Sequence, residues 1–409
     1  MRILMVSQMT PYLPCHDGFR LIPANLLRHL SERNEMHLLA IADASESDGQ
    51  RQWARTYCRT MELFQDPRPR RLGARLAGLV RPLSSALIER VRARVRDLKP
   101  EVLHLEGPAM APLGSFVRSG ATSILSGHDC LSLRYRQFAE FSRSPRYRAY
   151  WTIRRIAARR FERLWYRRPN KVVVTSSSDL EALARFVPPE RLMVVPNGVD
   201  LEYWSYGPAP LPGRIVFTGN MNWPPNEDAA EYFALQAFPI VRRQVPAAEF
   251  WIVGAEPSPR VRALSEVPGV RVTGTVPDLR EYLRSASVYV SPLRFGAGVK
   301  NKILEAMAIG APIVATSQSL TGMSLESGRH VLVTESPAEM AGAVLTLLGD
   351  ERMRRALSER ARGHVDRHHS WDRIAATFEA LYHRNGTSDC RRSGAPKENP
   401  VSSAATDDR

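Results

Sequence analysis

Short apolar runs alternate with longer amphipathic stretches along most of the chain. Residues 2–9, 36–42, 102–105, 122–126 and 171–175 are brief runs rich in Ile, Leu, Met and Val, which predicts buried strands. A loop with Pro11, Pro14 and Gly18 follows the first of them, and apolar positions then recur at helical spacing over 20–32. The pattern restarts at RIVFTG, residues 214–219, and continues with strands predicted at 249–253, 270–273, 287–291 and 312–315. Asn226 is placed to cap the helix after 214–219, with Glu227 and Asp228 in a first turn that favours negative charge.

Strands alternating with helices imply an α/β fold of doubly wound parallel sheets covered on both faces. A chain of 409 residues is long for one core and suits two units, here 1–198 and 214–366, joined by a Pro- and Gly-containing linker at 199–213. Residues 367–384 read as a closing helix, and the polar tail 385–409, rich in Ser, Asp and Pro, as disordered. Two such units facing each other leave a cleft at the carboxyl ends of their strands, where these folds bind ligands.

The stretch SPLRFGAGVKNKILEAMAIGAPIVAT, residues 291–316, reads as strand, glycine-rich turn, helix and strand. Gly296 and Gly298 let the backbone approach a ligand with its N–H groups free, and the helix start adds unpaired N–H groups that favour an anion. The chain has five lysines, and two of them, Lys300 and Lys302, flank this helix start. Glu305 follows Lys302 by three positions on the same face, where a carboxylate can accept from the hydroxyls of a ribose. The predicted ligand is a nucleotide diphosphate. The same spacing alone fits an ordinary strand-loop-helix with a solvated lysine pair equally well.

Charge is unevenly spread. Residues 1–200 hold 33 Lys+Arg against 19 Asp+Glu, whereas residues 201–409 are nearly balanced. Much of the excess lies in 68–99 and 146–168. In the second stretch Tyr150, Ile153, Ala157, Phe161 and Leu164 form an apolar stripe, with Arg148, Arg155, Arg159 and Arg163 on another face and Trp151, Trp165 and Tyr166 as interfacial aromatics. Such a helix either packs on its own domain with a solvated arginine face or meets an anionic membrane surface. Nucleic acid is the weakest reading, because no helix-turn-helix, zinc or RNA-recognition pattern accompanies the charge. No apolar run approaches the roughly 18 residues of a membrane span, and MRILMVSQM reads as a first strand rather than a signal peptide. A cytoplasmic protein is expected, with peripheral contact at the inner face of a membrane left open. Cys15, Cys58, Cys130 and Cys390 have neither metal-ligand spacing nor disulfide density, and read as small hydrophobes.

The 291–316 segment resembles the donor-site signature of family 4 glycosyltransferases. The resemblance extends to 11–33, ILSGHD at 124–129, VVVTSSSDL at 172–180, VVPNGVD at 194–200, FTGNMNWPPNEDA at 217–229 and VTGTVPDLREYLRSASVYVSPL at 272–293. It implies a GT-B fold of two Rossmann-like domains, the first for the acceptor and the second for the donor, with the last helix crossing back. It implies transfer of a sugar, with retention, from a UDP- or GDP-type donor to a glycan or lipid-linked acceptor. By the same resemblance Gly18 admits the diphosphate, His128 contacts the transferred sugar, backbone groups of Thr275 and Val276 hold the base, and Glu305 holds the ribose. The loop residues Gly296, Ala297, Gly298 and Val299 would meet the donor, and catalysis would fall to His128, Lys300 and Lys302.

Two departures stand out. Ala297 occupies the place of the first acid of a Glu-x7-Glu pair, which leaves the donor sugar open, and Gly219-Asn220 lacks the arginine that relatives place there to clamp phosphates. The remaining cations for that task are Lys300, Lys302 and Arg294. The sequence contains no Asp-x-Asp, so no metal cofactor is expected. A nucleotide-sugar 2-epimerase and a non-catalytic glycan- or nucleic-acid-binding protein of the same fold are the alternatives.

Overall fold

Residues 2–7 begin the chain's first strand because Ile3 to Val6 are apolar without interruption, and all four are fully buried. A strand covered on both faces needs that composition, and it marks a parallel sheet. The structure is a computed structural model and describes residues 1–15, 17–43, 46–65 and 83–383. Strands β1 (Arg2–Ser7), β2 (Glu35–Ile41), β3 (Thr60–Phe64), β4 (Val102–Glu106), β5 (Thr122–His128), β6 (Lys171–Val174) and β7 (Leu192–Val194) form a seven-stranded sheet in the order β3-β2-β1-β4-β5-β6-β7. Strands β8 (Arg214–Thr218), β9 (Glu249–Val253), β10 (Val270–Gly274), β11 (Val288–Ser291), β12 (Ile313–Ala315) and β13 (Leu332–Val333) form a second sheet in the order β10-β9-β8-β11-β12-β13. All pairings are parallel.

In each sheet the order reverses beside the first strand, between β1 and β4 and between β8 and β11. Helices leave to opposite faces at such a switch point and open a crevice at the carboxyl ends of the strands. Gly18 opens the helix after β1, Glu106 and His128 close β4 and β5, Gly219 follows β8, and the 292–300 loop follows β11. Topology alone therefore collects the candidate residues at the strand ends.

The helix Trp371–His383 packs on the helix Gly18–Leu30, and its Trp371, Ile374, Phe378 and Leu381 share a core with Ile3, Met5 and Ile22 of the first sheet unit. It starts at Trp371 because the preceding helix, Glu351–His368, ends first, and Ser370 then pairs with Val199 across the connecting segment. Arg384 and the tail 385–409, Cys390 among them, lie outside the described residues, as do residues 68–82 of the first basic stretch. Residues 85–98 of that stretch form a helix.

Two local expectations are corrected. Asn226 does not cap its helix: the helix runs Pro224–Tyr232 with Trp223 at the cap, since prolines fit a first turn whose N–H groups lack partners. The Pro145–Trp165 helix packs on the neighbouring Leu131–Glu140 helix, and its buried positions are Ala158 and Glu162. Tyr135, Phe138 and Trp151 form the seam between these two helices. The expected stripe is thereby split: Phe161 packs against the first unit's core with Tyr150 and Ala157 half-buried, whereas Ile153 and Leu164, with the neighbouring Ile156, are each more than half exposed.

Candidate functional site

The loop after β11 is shaped from within. Gly296 and Gly298 have φ of 129° and 72°, which side-chain-bearing residues rarely adopt. The Lys300 ammonium donates to the carbonyls of Gly296 (2.9 Å), Ala297 (3.0 Å) and Gly298. With its three donors so used, Lys300 turns the loop carbonyls inward. Among the described residues nothing accepts from the N–H groups of Ala297 and Gly298, which border the start of the helix Asn301–Ile309. Behind the loop, Ser319 Oγ donates to the Ser291 carbonyl and accepts from Leu293 N–H, and Gln318 donates to the Gly296 carbonyl.

Lys302 reaches from this helix toward β8. Its Nζ donates to Asn226 Oδ1 at 2.6 Å and lies 4.6 Å from the centre of the Phe217 ring. Gly219 leaves it room, since a Cβ there would sit 2.6 Å from Nζ, and the φ of 155° favours glycine as well. Asn226 also donates to the Asn220 carbonyl, so the turn after β8 and the helix start after β11 are joined through one amide. Burial pushes the Lys302 ammonium down to about 7, against the opposing pull of Glu305. Burial likewise raises the Glu305 carboxyl to about 7, with Lys302 opposing. Lys300 is lowered to about 8 by burial, partly offset by Asp179 and Asp129.

The first sheet supplies the opposite wall. Gly18 begins its helix with nothing within 4 Å of where a Cβ would be, while Asp17 caps that helix through Phe19 N–H at 2.9 Å. His128 closes β5 at φ 65°, an uncommon conformation for a residue with a side chain, and its ring centre lies 5.0 Å from that of Phe19. Its Nε2 meets Glu106 Oε2 at 3.0 Å. The two walls touch directly: Val299 N–H donates to Thr175 Oγ1 at 3.2 Å, Thr175 Oγ1 donates to the His128 carbonyl at 2.9 Å, and Gly296 N–H donates to Gln137 Oε1 at 2.9 Å. Phe295 completes the contact by stacking on Phe141 and meeting Phe138 edge-on. Between the walls lies a cavity of about 250 Å³ lined by Cys15, Asp200, Tyr203, Asn301, Glu305 and Trp371.

The other candidates are placed as follows. Arg294 is committed to Asp228 by paired hydrogen bonds, its Nε at 2.8 Å, so its charge is already matched. Thr275 and Val276 lie in the turn after β10, Thr275 exposed and Val276 packed at the edge of the second unit's core. Ala297 stands between the two glycines with its carbonyl held by Lys300. Gln137, Thr175, Glu106 and the positioning part of Asn226 escape sequence reasoning. Only Glu106 leaves a trace there, as an acid ending the apolar run VLHL beside His104. Among the described residues, no cluster of His, Cys, Asp and Glu is arranged to hold a metal ion, and no helix is long and apolar enough to cross a membrane.

Comparison with known proteins bears on this arrangement. The family described as "Glycosyl transferases group 1" matches residues 212–350, and that described as "Glycosyltransferase Family 4" matches residues 23–203. The phosphatidyl-myo-inositol mannosyltransferase of Mycolicibacterium smegmatis is 30% identical over 200 residues, 46% of this chain and 50% of the relative. The GDP-mannose:cellobiosyl-diphosphopolyprenol alpha-mannosyltransferase of Xanthomonas oryzae is 28% identical over 183 residues, 42% of this chain and 47% of the relative. The chain thus spans about half the length of the curated relatives it matches. Among solved structures, sucrose-phosphate synthase from Thermosynechococcus elongatus superposes with a TM-score of 0.71 at 18% identity, covering 93% of this chain and 98% of that one. Anabaena HepE in complex with UDP and glucose superposes with a TM-score of 0.65 at 15% identity, covering 94% and 100%. These likenesses carry the fold, two facing doubly wound units in the GT-B arrangement.

Proposed function

Because the chain belongs to family 4 of the GT-B glycosyltransferases, we propose that it moves a sugar from a nucleotide-diphosphate donor to a glycan or lipid-linked acceptor, with retention of configuration and without a metal. The observation that carries this reading is the helix start after β11. Two loop N–H groups are free there, Lys302 and Glu305 stand half-buried within electrostatic reach of each other, and the loop lies against the strand end that bears His128. Free N–H groups and a helix start suit a diphosphate, and a carboxylate at Glu305 can accept from vicinal hydroxyls.

In the transfer, the acceptor hydroxyl oxygen bonds to the anomeric carbon as the bond from that carbon to the phosphate oxygen breaks. The hydroxyl proton passes to the departing phosphate, and the nucleoside diphosphate leaves. The protein's part is to stabilise charge growing on that oxygen with groups already in place. Lys302 and the N–H groups of Ala297 and Gly298 are suited to it, Lys300 holds the loop that presents them, and His128 orients the sugar.

The exposed face of the Pro145–Trp165 helix supports a membrane setting for the acceptor. Ile153, Ile156 and Leu164 project there beside exposed Arg159, Arg160 and Arg163, and apolar residues among arginines suit an anionic membrane surface. Both relatives named above are mannosyltransferases, and one name specifies GDP-mannose and a diphosphopolyprenol-linked acceptor. A nucleotide-sugar panel that begins with GDP-mannose and UDP-glucose tests the proposal through its products. Free nucleoside diphosphate with a glycosylated acceptor or free sugar supports transfer, an epimerised donor identifies an epimerase, and no product with any donor refutes transfer.

A further inference from the structure

We infer that Glu106, His104 and Tyr382 are positioning residues that fix which ring nitrogen of His128 is left to meet the sugar. The inference rests on the glycosyl-transfer reading above only for what His128 touches; the order of the relay stands on contacts within the protein. Four side chains from three elements form one line. Tyr382 Oη of the Trp371–His383 helix is 2.5 Å from His104 Nδ1, His104 Nε2 is 2.6 Å from Glu106 Oε1, and Glu106 Oε2 is 3.0 Å from His128 Nε2. His104 and Glu106 sit two residues apart on β4, so their side chains share one face of the sheet. Tyr382, His104 and Glu106 are buried, while His128 keeps a tenth of its side chain exposed.

With both histidines neutral, proton bookkeeping along the line gives one arrangement without a clash. Burial alone would raise the Glu106 carboxyl, but its hydrogen bonds to both imidazoles, and their charge whenever they are protonated, outweigh it and hold the group at about 2. Glu106 is therefore a carboxylate and can only accept. Both histidines must then present Nε2–H to it. In neutral His104 this leaves Nδ1 as an acceptor, which the Tyr382 hydroxyl fills as donor. In neutral His128 it leaves an unprotonated Nδ1, and among the described residues no group bonds to that atom. His128 thus offers a hydrogen-bond acceptor to an incoming hydroxyl, chosen by a carboxylate that never touches the ligand. The relay ends on the helix that crosses between the units, so docking of that helix and the state of His128 are tied.

Glu106→Gln keeps the shape and removes the constraint. The amide carries both a donor and an acceptor, so only one histidine can keep Nε2–H toward it and the other must turn its tautomer over. The test is nitrogen-15 NMR of histidine-labelled full-length protein, with the His128 signals assigned by their loss in His128→Gln. Wild-type His128 is expected as the Nε2–H tautomer, and Glu106→Gln and Tyr382→Phe are expected to shift the tautomer balance of His128 and His104, the first most strongly. Wild-type His128 as the Nδ1–H tautomer, or unchanged histidine signals in both variants, overturns the relay.

Kinetics separate this failure from failure of the transfer reading. With whichever of GDP-mannose or UDP-glucose the wild type turns over, Glu106→Gln should lower kcat by about tenfold, the equivalent of one hydrogen bond. Binding of the bare nucleoside diphosphate should stay within about twofold of wild type, because the relay acts on the sugar. Equal loss of nucleotide binding, with a lowered melting temperature, would make Glu106 structural and overturn the proposal. Absence of turnover in the wild type would count against the transfer reading, while the tautomer measurement would still decide the relay.

Discussion

Lys302 and Glu305 stand three residues apart at the start of one helix, and burial moves their protonation in opposite directions to about the same value, near 7. The stability consequence can be signed for each. Glu305 is raised above its ordinary value of 4.5, so the folded state holds the proton more tightly; its contribution is full below about pH 4.5 and is lost as pH rises through 7. Lys302 is lowered from 10.5, so its cost is present below pH 7 and is relieved as pH rises from 7 toward 10.5. Glu305→Gln removes the first slope. The melting temperature of the variant minus that of the wild type should become more positive between pH 5 and 7.5, as read by calorimetry. A variant several degrees less stable than wild type at pH 7.5 would show Glu305 to be structural.

The two lysines should separate cleanly. Lys300 donates to three carbonyls of its own loop, and hydrogen bonds from a charged group contribute about 1.5 to 3 kcal/mol. Lys300→Ala should lower the melting temperature and raise hydrogen exchange at the amides of 293–299. Lys302→Ala should leave those amides protected, because its partner Asn226 lies outside the loop. The same exchange pattern in both variants would mean that Lys300 does not shape the loop.

Gly18 is open on the side where a Cβ would stand, so the folded protein has no need of glycine at that position. Gly18→Ala should melt at or slightly above the wild-type temperature, since alanine at a compatible site is stabilising by about 0.4 to 1 kcal/mol. A donor diphosphate that approaches this backbone would meet the added methyl, and nucleotide-sugar affinity should fall. Unchanged affinity would leave Gly18 as a turn residue only.

The exposed face of the Pro145–Trp165 helix makes two predictions with different salt behaviour. Changing Arg159, Arg160 and Arg163 together to Gln should weaken sedimentation with anionic vesicles by roughly two orders of magnitude, from about 1 kcal/mol for each charge at the surface. That loss should shrink as salt is raised, because screening already weakens the wild type. Changing Ile153 and Ile156 to Ser should weaken binding at high and low salt alike. Equal sedimentation of all three proteins would assign this face to another purpose.

What the sequence made legible follows from how local each feature is. The switch-point strands β1, β4, β8 and β11 are dominated by apolar residues, and the glycine loop, its lysines and Glu305 lie within fifteen residues, so pattern and spacing report them. The edge strand β13 pairs only two residues, and β3 is half-buried throughout, so neither leaves a clear apolar run. The stripe on the Pro145–Trp165 helix is only partly inward because periodicity shows that a helix has an apolar side but not which neighbour it meets, and here the neighbour is Leu131–Glu140. Gln137 and Thr175 were invisible because their partners Gly296 and Val299 are 159 and 124 residues away. Asn226 looked like a cap because its chemistry permits one, whereas two prolines before it start the helix earlier and free its amide for Lys302.

The most direct test of a nucleotide-diphosphate site at the helix start after β11 is calorimetric titration of GDP and of UDP into the wild type, Lys302→Ala and Glu305→Gln at neutral pH. The wild type is expected to bind at least one of the two, and each variant to bind that nucleotide about tenfold more weakly, the loss of roughly one charge-assisted hydrogen bond. Binding of neither nucleotide to the wild type, or binding to both variants with wild-type affinity, would contradict a donor site at this place.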